Sequence, residues 1–336
     1  MNFIKSIFTN PSELIQPLQH FPDVTSETIV ELEQILTSGR KPPITQVISL
    51  IKMARESLQK LPNILEIPYL ADSKMTIVGD THGQFYDVLH IFKENGYPSA
   101  TNRYIFNGDF VDRGSFGSEL TLLLLTLYLV HPESLFLLRG NHECARCTFI
   151  YGFKDEVLDK YNEDVYTEFV RMFYTLPLCA IVCNRVFVVH GGLWEQPDIS
   201  FDDIRSIQRF KEPGTEGGHL LMAQMLWSDP QPANGFSKSI RPFGVNFGPD
   251  ITASFLTKHN LNLFVRSHQA KEMGYSVEHE GFLITIFSAP DYCGCNNFGA
   301  YLHLLGEECN PEFIQFQASP HPRCKQYFPK DDCILF

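Results

Sequence analysis

The chain has 336 residues, 44% of them hydrophobic and 20% charged, with a formal net charge of -12 at pH 7. This balance is ordinary for a globular chain with a sizeable core, and its sign excludes nucleic acid as a routine partner, because phosphate backbones demand a basic surface. The longest apolar stretch, Leu120 to Val130, is about half of what a bilayer crossing needs, and Met1 to Leu14 lacks the continuous apolar region of a signal peptide. A cytoplasmic or nuclear location is therefore expected, with the nine cysteines as reduced thiols.

Thr25, followed by Glu27 and by apolar Ile29, Leu32, Ile35 and Leu36, predicts a capped amphipathic helix, and Pro42-Pro43 ends any continuation. Val47, Leu50, Ile51, Ala54 and Leu58 recur at helical spacing and predict a second helix from Ile44 to Leu61. Residues 1–65 thus form a helical extension expected to pack on the main domain, residues 66–322. Beyond them, five short apolar runs stop abruptly, each in a polar segment. Met75 to Val78 ends in G-D-T-H-G-Q, Tyr104 to Phe106 in G-D-F-V-D-R-G, and Leu135 to Leu138 in R-G-N-H-E. Val186 to Val189 ends in H-G-G, and Leu263 to Val265 in R-S-H. Such β-branched and aromatic runs read as core strands. A helix carrying Phe85, Val88, Leu89 and Phe92 joins the first two, and Leu120 to Val130 joins the second to the third, which makes βαβ units. After His190 come Gly-rich loops, a helix-like stretch from Leu220 to Trp227, and strands at Phe282 to Phe287, Ala300 to Leu305 and Phe313 to Phe316. The fold class expected is α/β, a two-sheet mixed β-sandwich flanked by helices.

Ligands in open α/β sheets collect beyond the carboxyl ends of strands, so the five segments can converge on one crevice. Together they offer Asp80, His82, Asp109, Asn141, His190 and His268 to hard or borderline metals. Two divalent ions roughly 4 Å apart activate a water between them and accept a phosphoryl oxygen, which needs at least one bridging carboxylate. Asp109 is the natural bridge, and Asp80 and His82, two residues apart, are expected on one side of an extended strand end. His142 follows Asn141 directly and can protonate a departing alkoxide, with Asp112 holding the imidazolium. Arg113 and Arg266 can chelate phosphoryl oxygens in forked geometry. Cys144-x-x-Cys147 has the spacing of half a zinc site, but no second pair follows, so both are read as free thiols. His90, His131, His219, His259, His279 and His303 lack any comparable context and are read as structural.

These residues carry a resemblance. The set G-D-T-H-G-Q, G-D-F-V-D-R-G, L-R-G-N-H-E, H-G-G-L and S-A-P-D-Y-C resembles the metal-dependent serine/threonine phosphoprotein phosphatases, within the calcineurin-like metallophosphoesterase fold. Gln84-Phe85-Tyr86-Asp87, W-S-D-P-Q-P and F-G-P-D are most similar to the type 5 catalytic domain. The resemblance implies that Asp80, His82 and Asp109 hold one metal, and that Asp109, Asn141, His190 and His268 hold the other. It further implies manganese, or iron with zinc, as the ions, phosphorylated proteins as substrates, and Tyr292 lining the cleft; a regulatory protein is a further candidate partner. Asp291 stands where the family usually has Asn, and Ile240 to Phe243 replaces a compact basic-glycine pair. The stretch before Glu66 lacks the tetratricopeptide pattern usual in type 5 enzymes. Two other readings share the residues: a metallophosphoesterase for dinucleoside polyphosphates or phosphodiesters, and an inactive scaffold that binds phosphorylated partners.

The tail, residues 323–336, ends in Cys333-Ile334-Leu335-Phe336, which has the form of a prenylation box, with a terminal Phe favouring geranylgeranyl. One lipid anchors weakly, so membrane association through Cys333 would be reversible. Mass spectrometry of the native C-terminal peptide is expected to find Cys333 modified and Phe336 removed; an intact, unmodified peptide refutes the lipid anchor.

Overall fold

The computed structural model describes residues 14–196 and 198–329. Met1 and Cys333, and with them the signal-peptide and prenylation expectations, lie outside the described residues. In chain order the elements begin with α1 (Ser26–Thr37), α2 (Ile44–Leu58), β1 (Ile64–Ile67), β2 (Lys74–Val78), α3 (Phe85–Asn95), β3 (Asn102–Phe106), α4 (Gly117–Val130) and β4 (Leu135–Leu137). They continue with α5 (Ala145–Ile150), α6 (Phe153–Lys160), α7 (Glu163–Phe173), β5 (Cys179–Val182), β6 (Val186–Val189), α8 (Phe201–Ser206) and α9 (Gly217–Trp227). The last are β7 (Asp229–Pro230), β8 (Phe236–Lys238), β9 (Val245–Phe247), α10 (Pro249–His259), β10 (Leu263–Arg266), β11 (Tyr275–Glu278), β12 (Leu283–Ile286), β13 (Gly299–Leu305) and β14 (Asn310–Phe316).

Two sheets face each other. One has the order β1-β5-β6-β10-β12-β11 and the other β14-β13-β2-β3-β4; β7, β9 and β8 make a small third sheet. The central strands are buried on both faces, which is why β6 and the Tyr104 to Phe106 end of β3 read in sequence as apolar runs without alternation. Ile77, Ile105 and Leu302 from one sheet interleave with Val188, Val265 and Ile286 from the other. The outer face of the β2 sheet packs on α1 to α4, α6 and α7, whose Leu32, Leu50, Phe85, Leu123 and Phe169 share one cluster. Leu123, Leu124 and Leu127 are all fully buried, because α4 lies under other helices and has no solvent face. Phe187, Leu226 and Phe264 anchor the other outer layer around α8 to α10. No helix among the described residues is long and apolar enough to cross a membrane.

The second helix ends at Leu58, three residues before the expected Leu61. There Arg209 takes the place of further helical turns, donating from Nη2 to the carbonyls of Leu58 and Leu61 at 3.1 and 2.7 Å. Absent from the expected elements are α5 to α7, although Val165, Phe169, Met172 and Phe173 of α7 recur at helical spacing and α7 packs on α2, and the edge strands β1 and β11. Cys144 and Cys147 are buried free thiols. Cys293 is disulfide-bonded, against the expectation of reduced thiols throughout, which rested on compartment alone.

The sheets meet where the polar segments emerge. Asp80 bridges Phe287 in parallel fashion, and Gly79 donates its N–H to Ser288 Oγ at 2.8 Å. A Cβ on Gly79 would lie 2.1 Å from the Ile286 carbonyl oxygen, so only glycine permits this approach. At the centre of the sandwich, Ile77→Ala removes a side chain with no exposed surface and is expected to cost about 2–5 kcal/mol in urea unfolding with an unchanged m-value. A loss below about 1 kcal/mol would contradict the inter-sheet packing.

Candidate metal centre

Five strand ends deliver the site: β2 to Asp80 and His82, β3 to Asp109, β4 to Asn141 and His142, β6 to His190, and β10 to His268. All seven side chains are buried, the most exposed being His268 at 7%. The expected convergence is met. Asp109 Oδ2 lies 3.7 Å from His82 Nε2, 3.9 Å from His142 Nε2 and 3.4 Å from His190 Nε2. Asp80 Oδ2 is 3.8 Å from His82 Nε2, and Asp80 Oδ1 is 3.8 Å from His190 Nδ1. Asn141 Oδ1 is 2.8 Å and His268 Nδ1 3.3 Å from His190 Nε2.

The backbone is strained to achieve this. His82, Asp109, Asp112, Arg113 and His268 all have left-handed φ, between 40° and 71°. Non-glycine residues accept that conformation only when their surroundings fix it, and here they reaim side chains at the tips of strands. His82 therefore does not sit on an extended strand end. Its φ of 40° folds it back, and the turn rather than strand alternation brings it beside Asp80.

Neighbouring groups orient the ligands. His82 Nδ1 donates to the Val111 carbonyl at 3.0 Å and His190 Nδ1 to the Asn107 carbonyl at 2.8 Å, which turns both Nε2 atoms toward Asp109. Glu143, fully buried, accepts N–H groups from Asp109, Phe110 and Gly140, each at 2.8 Å. Sequence reasoning quoted Glu143 within its motif without giving it this task. It also passed over Asp229, which accepts from Arg266 Nη2 at 2.8 Å and from Arg241 Nε at 3.0 Å. Both lie in quoted motifs, R-G-N-H-E and W-S-D-P-Q-P, but nothing local in either shows which backbone or arginine the carboxylate meets.

Charge in the pocket is finely opposed. Burial, then repulsion from Asp109, pushes Asp80 up to about 7. Burial opposes ionisation of Asp109 as well, but the charges of His190 and His142 hold its carboxyl below the usual range. His190, although burial works against its charge, is pushed up to about 9 by Asp109 and Asp80. Burial, then His142, holds His82 down at about 3, and burial with Arg241 holds His268 well below the ordinary imidazole value. Beside the cluster, His142 Nδ1 is 2.6 Å from Asp112 Oδ2. Burial opposes the charge on His142, yet Asp109 and Asp112 together raise it, so this imidazole keeps its proton more firmly than a free one.

Of the two arginines, Arg113 is half-buried, its guanidinium 4.2 Å from the Tyr151 ring centre and 4.5 Å from that of Phe328. Arg266 has no exposed surface and donates to Gly191 O, Gln269 Oε1, Ser228 O and Asp229 Oδ1. Four of its five N–H groups are thus engaged in holding the floor of the site. Tyr292 stacks on His82 with ring centres 5.0 Å apart and forms the roof. The adjacent Asp291 takes a left-handed φ of 46° and accepts the Asn296 N–H at 3.1 Å, which turns its charge away into the exposed loop. Arg241, from the unusual 240–243 segment, lies against Asp229 and donates to the His268 carbonyl at 3.4 Å. Of the histidines read as structural, His303 bonds Glu312 and Asn95, and His279 bonds Thr252 and Gln231, all away from the cluster.

The cluster divides into two potential ligand groups, His82 with Asp109 and His142, and Asp109 with His190 and His268. Asp109 belongs to both, as a bridge requires. Two buried imidazole nitrogens 3.3 Å apart, at His190 and His268, also need a proton or a cation between them. A mixture of carboxylate, amide and imidazole donors suits borderline divalent ions, so these residues fit a two-metal centre.

A two-sheet sandwich whose strand ends converge on paired metal ligands is the architecture of a metal-dependent phosphoesterase. The calcineurin-like phosphoesterase family model matches residues 73–272, and the chain belongs to that family. Among its relatives, serine/threonine-protein phosphatase T of Schizosaccharomyces pombe is 42% identical over 90% of this chain and 64% of its own length. Human serine/threonine-protein phosphatase 5 is 45% identical over 90% of this chain and 60% of its own. The chain thus spans less than two thirds of these relatives. A solved structure of a protein serine/threonine phosphatase from Saccharomyces cerevisiae, described as similar to human phosphatase PP5, superposes with a TM-score of 0.85 at 37% identity, covering 90% of this chain and 98% of that one. A cold-active protein-tyrosine phosphatase from a Shewanella species shares the fold at 16% identity and a TM-score of 0.55, over 77% of this chain and 84% of that one.

A Cβ on Gly140 would lie 2.2 Å from Asp109 Oδ1. Gly140→Ala is accordingly expected to displace the bridge and lower the metal content of purified protein, read by elemental analysis, while the circular dichroism spectrum is kept. Wild-type metal content in that variant would refute the bridging position of Asp109.

Proposed function

We propose that the chain hydrolyses phosphoserine and phosphothreonine in phosphorylated proteins. The observation that carries this reading is the His142–Asp112 pair, 2.6 Å apart, standing beside a carboxylate shared by two ligand groups. In this reading Asp80, His82 and Asp109 hold one divalent ion, and Asp109, Asn141, His190 and His268 hold the second. When bound, the two ions supply Lewis-acid polarisation of the phosphoryl group and a water activated at neutral pH. Manganese, or iron with zinc, matches the donor set.

The remaining tasks fall to side chains. Arg113 presents a planar fork to phosphoryl oxygens, which a lysine would do poorly. Arg266 offers one N–H from beneath, and its bonds to Gly191 and Asp229 keep it fixed. His142 carries a proton whose retention is favoured by Asp109 and Asp112, and it gives that proton to the departing serine or threonine oxygen. Asp112 fixes the imidazole through Nδ1, leaving Nε2 to face the cleft. Tyr292, stacked over His82, closes the pocket to bulk water on that side.

A cytoplasmic or nuclear setting, a regulatory protein partner and a reversible lipid anchor at Cys333 accompany this reading as proposals drawn from the sequence alone. His142→Asn is expected to lower kcat on a phosphopeptide by several orders of magnitude with metal content nearly intact, whereas Asp109→Asn should lose both metal and activity. Unchanged phosphopeptide turnover in either variant overturns its role, and faster turnover of a dinucleoside polyphosphate than of the phosphopeptide overturns the substrate class.

A further inference from the structure

After β14 the chain does not leave the domain but returns past the metal centre. Ser319 donates its N–H to Asp87 Oδ1 at 2.6 Å, and the His321 ring lies 6.0 Å from that of Phe116. Farther on, Tyr327 Oη donates to Asp159 Oδ2 at 2.7 Å and Lys325 Nζ to Asp159 Oδ1 at 3.0 Å. Gly152 is shaped for this path: its φ is +109°, and a Cβ there would come within 3.1 Å of the Tyr327 carbonyl. Residues 318–328 and the loop around Tyr292 thereby enclose a groove of about 800 Å³, counting the space open to solvent, with Arg113 in its wall.

Fixed at Asp159, the strap sets Phe328 against Arg113. The guanidinium lies in the corner formed by two rings, Tyr151 at 4.2 Å and Phe328 at 4.5 Å, which contact each other edge to face at 5.7 Å. The Arg113 N–H also donates to the Tyr151 carbonyl at 2.9 Å, which ties the arginine's backbone to the same ring's residue. Attraction to two aromatic rings restrains a guanidinium, and its forked N–H groups remain the part that chelates an oxyanion. An arginine so held has lost its rotamer freedom before any ligand arrives, which lowers the entropy cost of binding.

We propose that Phe328 is a positioning residue for anion capture, holding Arg113 against Tyr151 so that its fork faces the groove beside the metal centre. The inference rests on Arg113 being the phosphoryl-binding arginine of the proposed function. Phe328 touches no reacting atom; it acts through Arg113.

The test is calorimetric titration of inorganic phosphate into the manganese-loaded full chain. Phe328→Ala is expected to weaken phosphate about tenfold, Phe328→Tyr to restore the affinity, and Phe328→Leu, which keeps much of the volume without the ring, to behave as the alanine variant does. In an Arg113→Ala background, Phe328→Ala should cost nothing further, because the residue has lost the group it positions. Phosphate affinity within twofold of wild type in both Phe328→Ala and Phe328→Leu overturns the proposal. So does tighter binding, which would make the strap a lid, or an undiminished loss in the Arg113→Ala background. Because phosphate binding is read without turnover, an active enzyme with unchanged phosphate affinity fails the positioning role alone. A phosphate response of the expected kind in a chain that dephosphorylates no phosphopeptide fails the functional reading alone.

Discussion

The protein depends on one buried carboxylate. Asp109 sits within 4 Å of three imidazoles in a pocket almost without solvent, and it is common to both ligand groups. Such a charge is intolerable unless opposed, since burial of an unpaired ion is costly and the second carboxylate, Asp80, adds repulsion. Histidine charge relieves part of it, as the raised His190 shows. The site is therefore poised to exchange protons for divalent cations, the coupling expected wherever deprotonated ligands must gather before metal arrives.

Holding that cluster is chiefly the work of residues outside the ligand set. Glu143 fixes the backbone of Asp109, Phe110 and Gly140 with three N–H bonds, and Asn107, after β3, donates across to Val189 of the other sheet and to Ser267 just after its β10, at 3.0 and 2.9 Å. Asp229 joins Arg266 to Arg241. The glycines at 79 and 140 admit contacts that any Cβ would block. Left-handed backbone at five of the site residues shows that the surrounding packing, not local preference, determines where the ligands point. The sandwich supplies that rigidity, because its two sheets lock together through Ile77, Ile105, Val188 and Ile286 directly beneath the centre.

The groove adds a second layer of control. Tyr292 roofs the cluster, and the strap running from Ser319 to Phe328 walls the side where Arg113 stands. An arginine held against two rings and a histidine paired with a carboxylate are both restrained before any ligand binds, the preorganisation that favours stabilising developing charge. Family membership accounts for the ligand cluster, and the strap's aromatic contact is the one Phe328 makes with Arg113.

Sequence alone determined the ligand inventory, the apolar strands that end in it, and the helical pairs in α1 and α2, because strand burial and helix amphipathicity leave direct periodic traces. It also marked His142 and Asp112 as a pair, since each directly follows or closely trails a ligand. Only the tertiary structure decided that His82 reaches Asp80 by a left-handed turn, that Glu143 organises three backbone N–H groups, that Arg266 is largely occupied by Gly191, Ser228, Asp229 and Gln269, and that Phe328 lies on Arg113. For His82 the reason is a strained φ imposed by its surroundings; for the others it is distance along the chain. Arg266 and Asp229 are 37 residues apart, and Asp159 and Tyr327 168, so nothing in the local pattern of either partner encodes the other.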